Sequence, residues 1–578
     1  MHLLTSVSIA LSGFGLASGL APPYSNNSAP IVDLGYSRYR GYHDLKLDAN
    51  VYKGIRFAAP PKRWQRPEAP KTNRTSVIDA VHNPPRCPQC LPTSAFIPVG
   101  NFTDTFQGDE DCLFLSVVSP RKAKNLPVLF WIHGGGYGAG WADLVDLSPV
   151  GQSLDNSIVI VSIQYRLGAF GFLASKDVAD NGVLNAGLHD IRFALEWVQK
   201  YINRFGGDPE QVTVVGESAG GGAVMLLATA NGGTEGSKLF KRGIASSPYF
   251  PIQHMFSDEA PTNNYLHLAR QANCLGAHDS VDSASDRKLV FQCLQEADTM
   301  VLQKANAEIT YNGTYGRWPF VPVTDGALLR EQPPTALLNK RVNGERILTA
   351  NNANEGAFFV SLNITTQSDF ETYVHHSFPR VAAKDMTAIL SAYSVPTGFT
   401  SPKFNTDGLH PPFATHVSST AVGWQQAAIN LYAEATFVCP SYWLGTAYES
   451  NGSDGKKAWR YQFSVPEAYH SLDLTPLQSD PGSVDASIAF DGTFARGFQQ
   501  IWSRFITTGD PTLPVDGGSQ ELVAAERQSW VSWGEVAVCL VGSECNGRGA
   551  SKWTVADGLT WEGGRWERCN LWARIGVA

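Results

Sequence analysis

Apolar residues along this chain fall into short unbroken runs. Leu126 to Ile132 (LPVLFWI), Ser157 to Ile163 (SIVIVSI) and Val212 to Val215 (VTVV) carry β-branched and aromatic residues with little polar alternation. Such runs predict strands covered on both faces, as in a parallel sheet. Ile347 to Ala350 (ILTA) and Trp459 to Phe463 (WRYQF) read as later strands. Elsewhere the period changes. From Ile191 to Phe205, the residues Phe193, Leu195, Trp197, Val198 and Ile202 recur at spacings near three and four, which predicts a helix. Gly206-Gly207-Asp208-Pro209 ends it. Strand–helix alternation of this kind predicts an α/β fold on a large, mainly parallel sheet. The stretch between Ser218 and Ile347 reads as helix and loop, a large insertion over one end of that sheet. No repeat, low-complexity tract or long linker interrupts the chain, so residues 22–578 read as a single domain.

Composition narrows the class. Of 578 residues, 43% are hydrophobic and 17% charged, with a net charge of −8. No run of five like charges occurs, which argues against a nucleic-acid surface. Residues 3–21 form an apolar stretch that ends in small residues, although no Lys or Arg precedes it. It reads as a secretory signal peptide over about residues 1–21 rather than as a membrane anchor, being short and rich in Ser and Gly. The C-terminal NLWARIGVA shows neither a lipid-anchor tail nor a retention tetrapeptide. N-x-[ST] sequons at Asn26, Asn73, Asn101, Asn312, Asn363 and Asn451 are candidate glycosylation sites and agree with export. Nine cysteines leave one over if the rest pair. Cys87-Pro88-Gln89-Cys90 is a C-x-x-C, yet no second such motif or histidine pair follows at zinc spacing. A structural disulfide from one of the two fits better than metal or redox chemistry.

The chemistry centres on Gly216-Glu217-Ser218-Ala219-Gly220, a G-x-S-x-G pentapeptide. In a chain with 54 glycines the bare motif is weak, so its context decides. A predicted strand precedes Ser218 and a helix-like run follows it, which is the setting of a nucleophile elbow. Gly134-Gly135-Gly136 follows the LPVLFWI strand. Its side-chain-free amides, at Gly135 and Gly136, together with that of Ala219, are candidate oxyanion donors. A dinucleotide loop is disfavoured because no complete G-x-G-x-x-G is present.

Taken together the motifs resemble the type-B carboxylesterase/lipase family, which includes the cholinesterases. The matching stretches are VYKGIRFAAPP (51–61), Glu110-Asp111-Cys112-Leu113, HGGGY (133–137), Gln164-Tyr165-Arg166-Leu167-Gly168, FGGDP (205–209) and the Ser218 pentapeptide. ASSPYFP (245–251) and VCPSYW (438–443) look like fungal members. The resemblance implies an α/β-hydrolase fold and a Ser, acid, His triad. Glu355, in an N-x-x-E-G segment, is the implied acid. His470, in an H-x-x-D-L segment, is the implied base; His375, His376, His410 and His416 also follow Glu355 but lack that context. Ser218 would attack the ester carbonyl, His470 would move the proton, and Glu355 would orient the imidazole. No cofactor or metal is implied.

The resemblance also implies disulfides Cys87–Cys112, closing a lid-like loop, and Cys274–Cys293. Cys539–Cys545 and Cys439–Cys569 are the remaining candidate pairs, with Cys90 left over. Gln164 and Ile191 stand where Asn and Gln are usual in the family, and Ala223 where Ser is common. These departures are expected to leave the triad intact. Choline specificity would need a Trp before Cys112, where this chain has Phe102. The segment CLPTSAFIPVG is moderately apolar and adjoins the Asn101 sequon. A short- or medium-chain esterase, or one for a natural-product ester, is therefore expected ahead of a triglyceride lipase. A non-catalytic binding protein on the same fold is the remaining alternative. The expected partner is a small-molecule ester, with no nucleic acid and no stable membrane anchor.

Overall fold

The computed structural model describes residues 29–94, 107–275, 283–395, 398, 410–418, 420–449, 455–465, 467–479, 492–513, 538–541, 553–556 and 561–575. A small sheet pairs β1 (Ile31–Asp33), β2 (Arg38–Arg40) and β5 (Val77–Asp79). The large sheet holds β3 (Tyr42–Asp44), β4 (Ala49–Arg56), β6 (Phe114–Pro120), β7 (Leu126–Ile132), β8 (Val159–Ile163), β9 (Gly207–Glu217), β10 (Arg242–Ser246), β11 (Arg346–Asn352), β12 (Lys457–Phe463), β13 (Val538–Val541) and β14 (Trp553–Ala556). Its order is β14-β13-β12-β11-β10-β9-β7-β8-β6-β4-β3. The run from β8 to β13 is parallel, and the rims at β6-β4-β3 and β14 are antiparallel.

The unbroken apolar runs are explained by two covering layers. In β7, Leu129 and Trp131 enter the layer built by the helix Gly492–Thr508, while Val128, Phe130 and Ile132 enter the opposite one. Side chains alternate at period two, and both faces are dry. The helix Gly492–Thr508 presents Phe494, Phe498, Ile501, Trp502 and Phe505, at helical spacing, to one layer. Its last carbonyls accept from two arginines: Arg242 binds the Ile506 oxygen and Arg346 those of Thr508 and Gly509. On the other face lie the helices Ala186–Tyr201 and Ala219–Thr229.

The predicted helix over 191–205 begins earlier, at Ala186, and tightens to a 3₁₀ turn over Ile202–Phe205. Gly206 ends it at φ 80°, where a Cβ would stand 2.4 Å from the Ala123 carbonyl oxygen. The stretch between Ser218 and Ile347 differs from expectation in one respect. It contributes β10, a fully buried strand between β9 and β11, as well as the helices Glu259–Gln271, Ala284–Glu296 and Thr299–Tyr311. RGIAS carries no apolar run because Gly243 makes room for the Ile347 and Val224 side chains and Arg242 caps a helix.

Several family motifs prove to be fasteners. Glu110 binds Arg63, which also reaches the carbonyls ending the helix Ala284–Glu296. Asp111 takes Arg56 bidentately, and Cys112 is disulfide-bonded to Cys87. Arg166 grips Asp190 with two 2.7 Å bonds, both side chains buried, and donates to the Lys62 and Gln65 carbonyls. Gln164 spans two loops, accepting from the Ala142 amide and donating to the Pro85 oxygen. Cys274–Cys293 and Cys439–Cys569 are also paired. Cys90 is buried and free, and burial pushes its thiol up to about 12. Cys545 lies outside the described residues.

Arg166→Met leaves the Asp190 carboxylate buried and unpaired, so it is expected to lower stability by about 3–5 kcal/mol. Equilibrium urea denaturation beside the wild type checks this. Native-state alkylation followed by peptide mapping should leave the Cys90 peptide unmodified until the chain is unfolded.

Candidate active site

β9 runs into the helix Ala219–Thr229 through a single residue, Ser218, held at φ 56°, ψ −123°. A serine in that conformation is strained, and neighbouring backbone enforces it. Its amide donates to the Ser246 oxygen, and its carbonyl accepts from the amides of Gly222 and Tyr249. The flanking glycines are steric necessities. A Cβ on Gly220 would lie 2.0 Å from the Ile132 oxygen, and one on Gly216 would lie 2.3 Å from the Gly220 carbonyl carbon. Ser218 is buried, with 7% of its surface exposed.

The turns after β11 and β12 bring the two other expected residues to it. His470 Nε2 lies 2.9 Å from Ser218 Oγ, and His470 Nδ1 lies 2.5 Å from Glu355 Oε2. The other Glu355 oxygen accepts from the Asn352 amide at 2.5 Å and the Ser247 hydroxyl at 2.6 Å. One oxygen of this buried carboxylate thus meets the imidazole and the other meets two donors.

The glycine triplet after β7 runs alongside. A Cβ on Gly134 would touch Ser218 Cβ at 3.0 Å. Gly135 and Gly136 take φ 104° and 65°, and the Trp318 ring packs on Gly136 where a Cβ would stand, 2.2 Å from ring carbons. His133 stacks on Tyr165, and burial lowers it to about 4, so it stays neutral at the base of the loop. Aromatic rings wall the imidazole: Phe437 at 4.4 Å and Phe359 at 5.2 Å between centroids, with Tyr249 against Phe437 and Trp318.

Phe437 sits in a π-helical turn, Glu434–Val438, of the kind often found at functional sites. That turn is held from behind. Glu434 is buried and accepts from Arg565, Arg568 and Tyr393. Burial alone would raise its pKa, but the two guanidiniums bring it down to about 2. Next to it, Cys439–Cys569 ties the turn to the helix Trp561–Ile575.

Two further carboxylates, absent from the expected set, lie beneath the imidazole. Glu217 Oε1 is 3.4 Å from His470 Nε2 and accepts from the Ser471 hydroxyl at 2.6 Å. Burial raises it to about 7 despite His470. Asp473, also raised by burial, accepts from Ser246, Asn352 and Tyr461. Burial pulls His470 towards its neutral form; the Glu217 and Glu355 carboxylates overcome this, and its pKa is raised. Both acids sit inside the quoted motifs, G-E-S-A-G and H-x-x-D-L, so the signal was their position in these motifs. Ser246 and Ser247 lie in ASSPYFP.

The carboxylesterase family matches residues 28–536 of this chain. The chain belongs to the carboxylesterase family. Among its relatives, "Secreted lipase 4" of Gibberella zeae is 28% identical over 544 residues, covering 90% of this chain and 92% of that protein. "Carboxylesterase patB" of Penicillium expansum is 28% identical over 546 residues, covering 84% and 89%. The solved structure of Aspergillus niger EstA superposes with a TM-score of 0.74 at 25% identity, covering 96% of this chain and 99% of that one. The fold is the α/β-hydrolase fold, and the chain is a carboxylic ester hydrolase by family.

Other expected features map onto this carboxylesterase as follows. Asn73, Asn312 and Asn363 are exposed. Asn26, Asn101, Asn451 and Phe102 lie outside the described residues. Ala223 is buried in the helix that follows Ser218, and Ile191 is buried in Ala186–Tyr201. Among the described residues no helix is long and apolar enough to cross a membrane, and no group of His, Cys, Asp or Glu is arranged to hold a metal ion.

The Glu434 carboxylate has a folded-state pKa below its unfolded value of 4.5. Its stabilisation is therefore complete above that value and is lost as pH falls through about 2. Glu434→Gln should lower the thermal midpoint markedly at pH 7, and the gap to the wild type should narrow steadily below about pH 4.5. Paired thermal melts across that range are the check.

Proposed function

We propose that this carboxylesterase is a secreted serine esterase working through an acyl-enzyme, with Ser218 as nucleophile, His470 as general base and acid, and Glu355 as the orienting carboxylate. The observation that carries this reading is the continuous hydrogen-bond line from Ser218 Oγ through both His470 nitrogens to Glu355. As Ser218 Oγ bonds to the ester carbonyl carbon, its proton passes to Nε2. The charge on the carbonyl oxygen falls to the amides of Gly135, Gly136 and Ala219. The imidazolium, steadied by Glu355, then protonates the departing alcohol. Water repeats the sequence on the acyl-serine and frees the acid.

The aromatic wall of Phe437, Phe359, Tyr249 and Trp318 favours a compact acyl group, of short or medium chain or from a natural product, over a triglyceride. The relative named as a secreted lipase keeps triglyceride hydrolysis as the second reading. Export through a signal peptide over about residues 1–21, a single catalytic domain over 22–578, and glycans at the six sequons belong to the same proposal. They are supported by that relative's name and by the exposed Asn73, Asn312 and Asn363.

Hydrolysis of p-nitrophenyl esters from acetate to palmitate tests the proposal. Ser218→Ala is expected to lower kcat on the order of 10⁴–10⁶ and Glu355→Gln by about 10⁴, with folded protein in both cases. An optimum at short or medium chains is expected, and one at palmitate would favour the lipase reading. Wild-type turnover that survives Ser218→Ala removes Ser218 as nucleophile. A wild type inert on every ester favours the binding-protein alternative.

A further inference from the structure

Glu217 creates a difficulty for the triad. Its Oε1 lies 3.4 Å from the nitrogen of His470 that must serve Ser218. A buried carboxylate at that distance competes with Ser218 Oγ for Nε2, and would hold the imidazolium proton that the leaving alcohol needs. The same oxygen is occupied from the other side. Ser471 Oγ donates to Glu217 Oε1 at 2.6 Å. Ser471 is the residue after His470, and its backbone is left-handed at φ 71°. A turn closes around it, with the Leu472 amide on the Tyr469 oxygen and the Leu474 amide on the Ser471 oxygen. Glycine is the ordinary occupant of such a conformation, so a serine there is an expensive choice unless its hydroxyl is used. The other oxygen, Glu217 Oε2, fits beside Gly134 because that residue has no side chain: a Cβ there would lie 2.9 Å from it.

We propose that Ser471 is a positioning residue for the catalytic imidazole: its hydroxyl pins the Glu217 carboxylate and keeps it from capturing His470 Nε2. The titratable groups facing Glu217 are His470 and Asp473 from the turn after β12 and Glu355 from the turn after β11. Asp473 and Glu355 carry their own donors, so Ser471 is the group that governs Glu217 itself. Glu217 and His470 share protons as a pair. Without the Ser471 donor, Glu217 Oε1 turns its full charge on His470 Nε2 and the imidazolium holds its proton to higher pH. Removing the Glu217 charge does the opposite, since the imidazolium loses a neighbouring anion. The proposal rests on the triad reading above.

The test is the pH profile of kcat/KM for Ser471→Ala, Ser471→Gly, Glu217→Gln and the double variant Glu217→Gln/Ser471→Ala. Both Ser471 variants should move the acid limb up by about half to one pH unit. Agreement between them assigns the effect to the hydroxyl, because glycine relieves the backbone strain and alanine keeps it. Glu217→Gln should move the limb down, and the double variant should match it. An unmoved limb in both Ser471 variants overturns the proposal, as does an equal upward shift in the Glu217→Gln background. NMR titration of the His470 ring in ¹⁵N-histidine-labelled Ser218→Ala protein, with and without Ser471→Ala, reads the same shift without turnover. An identical His470 titration in the two proteins sinks the idea even if no ester is ever hydrolysed, whereas wild-type turnover that survives Ser218→Ala, with the NMR shift intact, would count against the triad reading alone.

Discussion

Backbone touching backbone, where β9 turns into the helix behind Ser218, is the constraint on which this site rests. The turn brings the chain so near the end of β7 that a single methyl group at Gly220 would overlap the Ile132 carbonyl. That closeness does two things at once. It holds Ser218 at φ 56° with its hydroxyl against His470 Nε2. It also lays the glycine triplet after β7 against the serine, so Ser218 and Gly134-Gly135-Gly136 are placed by one contact. The two covering layers supply the force, since the central strands are fully dry and cannot shift to relieve the strain.

Beneath the imidazole the protein gathers three buried carboxylates, a combination that is unfavourable unless each has donors of its own. The donors come from the carboxyl ends of adjacent strands and the turns that follow them. Ser246 and Ser247 follow from β10, Asn352 from β11, Tyr461 from β12 and Ser471 from the turn beyond it. The strand order is therefore also an electrostatic arrangement. Had β10 been elsewhere, Glu355 and Asp473 would each have lost a hydroxyl.

The sequence made the dry strands and the candidate residues Ser218, Glu355 and His470 legible for different reasons. LPVLFWI and VTVV carry almost no polar residue because both sides of the sheet are covered, and those unbroken runs identify them. Ser218, Glu355 and His470 are legible only as motif positions, since nothing in composition separates Glu355 from other acidic residues. β10 escaped because a glycine and a helix-capping arginine occupy places where bulk was expected. The donors Ser247 and Asn352 escaped because their task exists only once the strands are side by side. Phe437 escaped because its π-helical turn adds a residue to the helical period and redirects the ring.

The clamp behind Phe437 has a bearing on when the enzyme comes into being. Arg565, Arg568 and Cys569 belong to the helix Trp561–Ile575, which comes after every described strand and after Ser218, Glu355 and His470 in the chain. Until that helix docks, Glu434 is a buried anion without its cations, and the ring beside His470 has nothing holding its turn. The wall beside His470 is thus fixed only once that late segment has joined the fold.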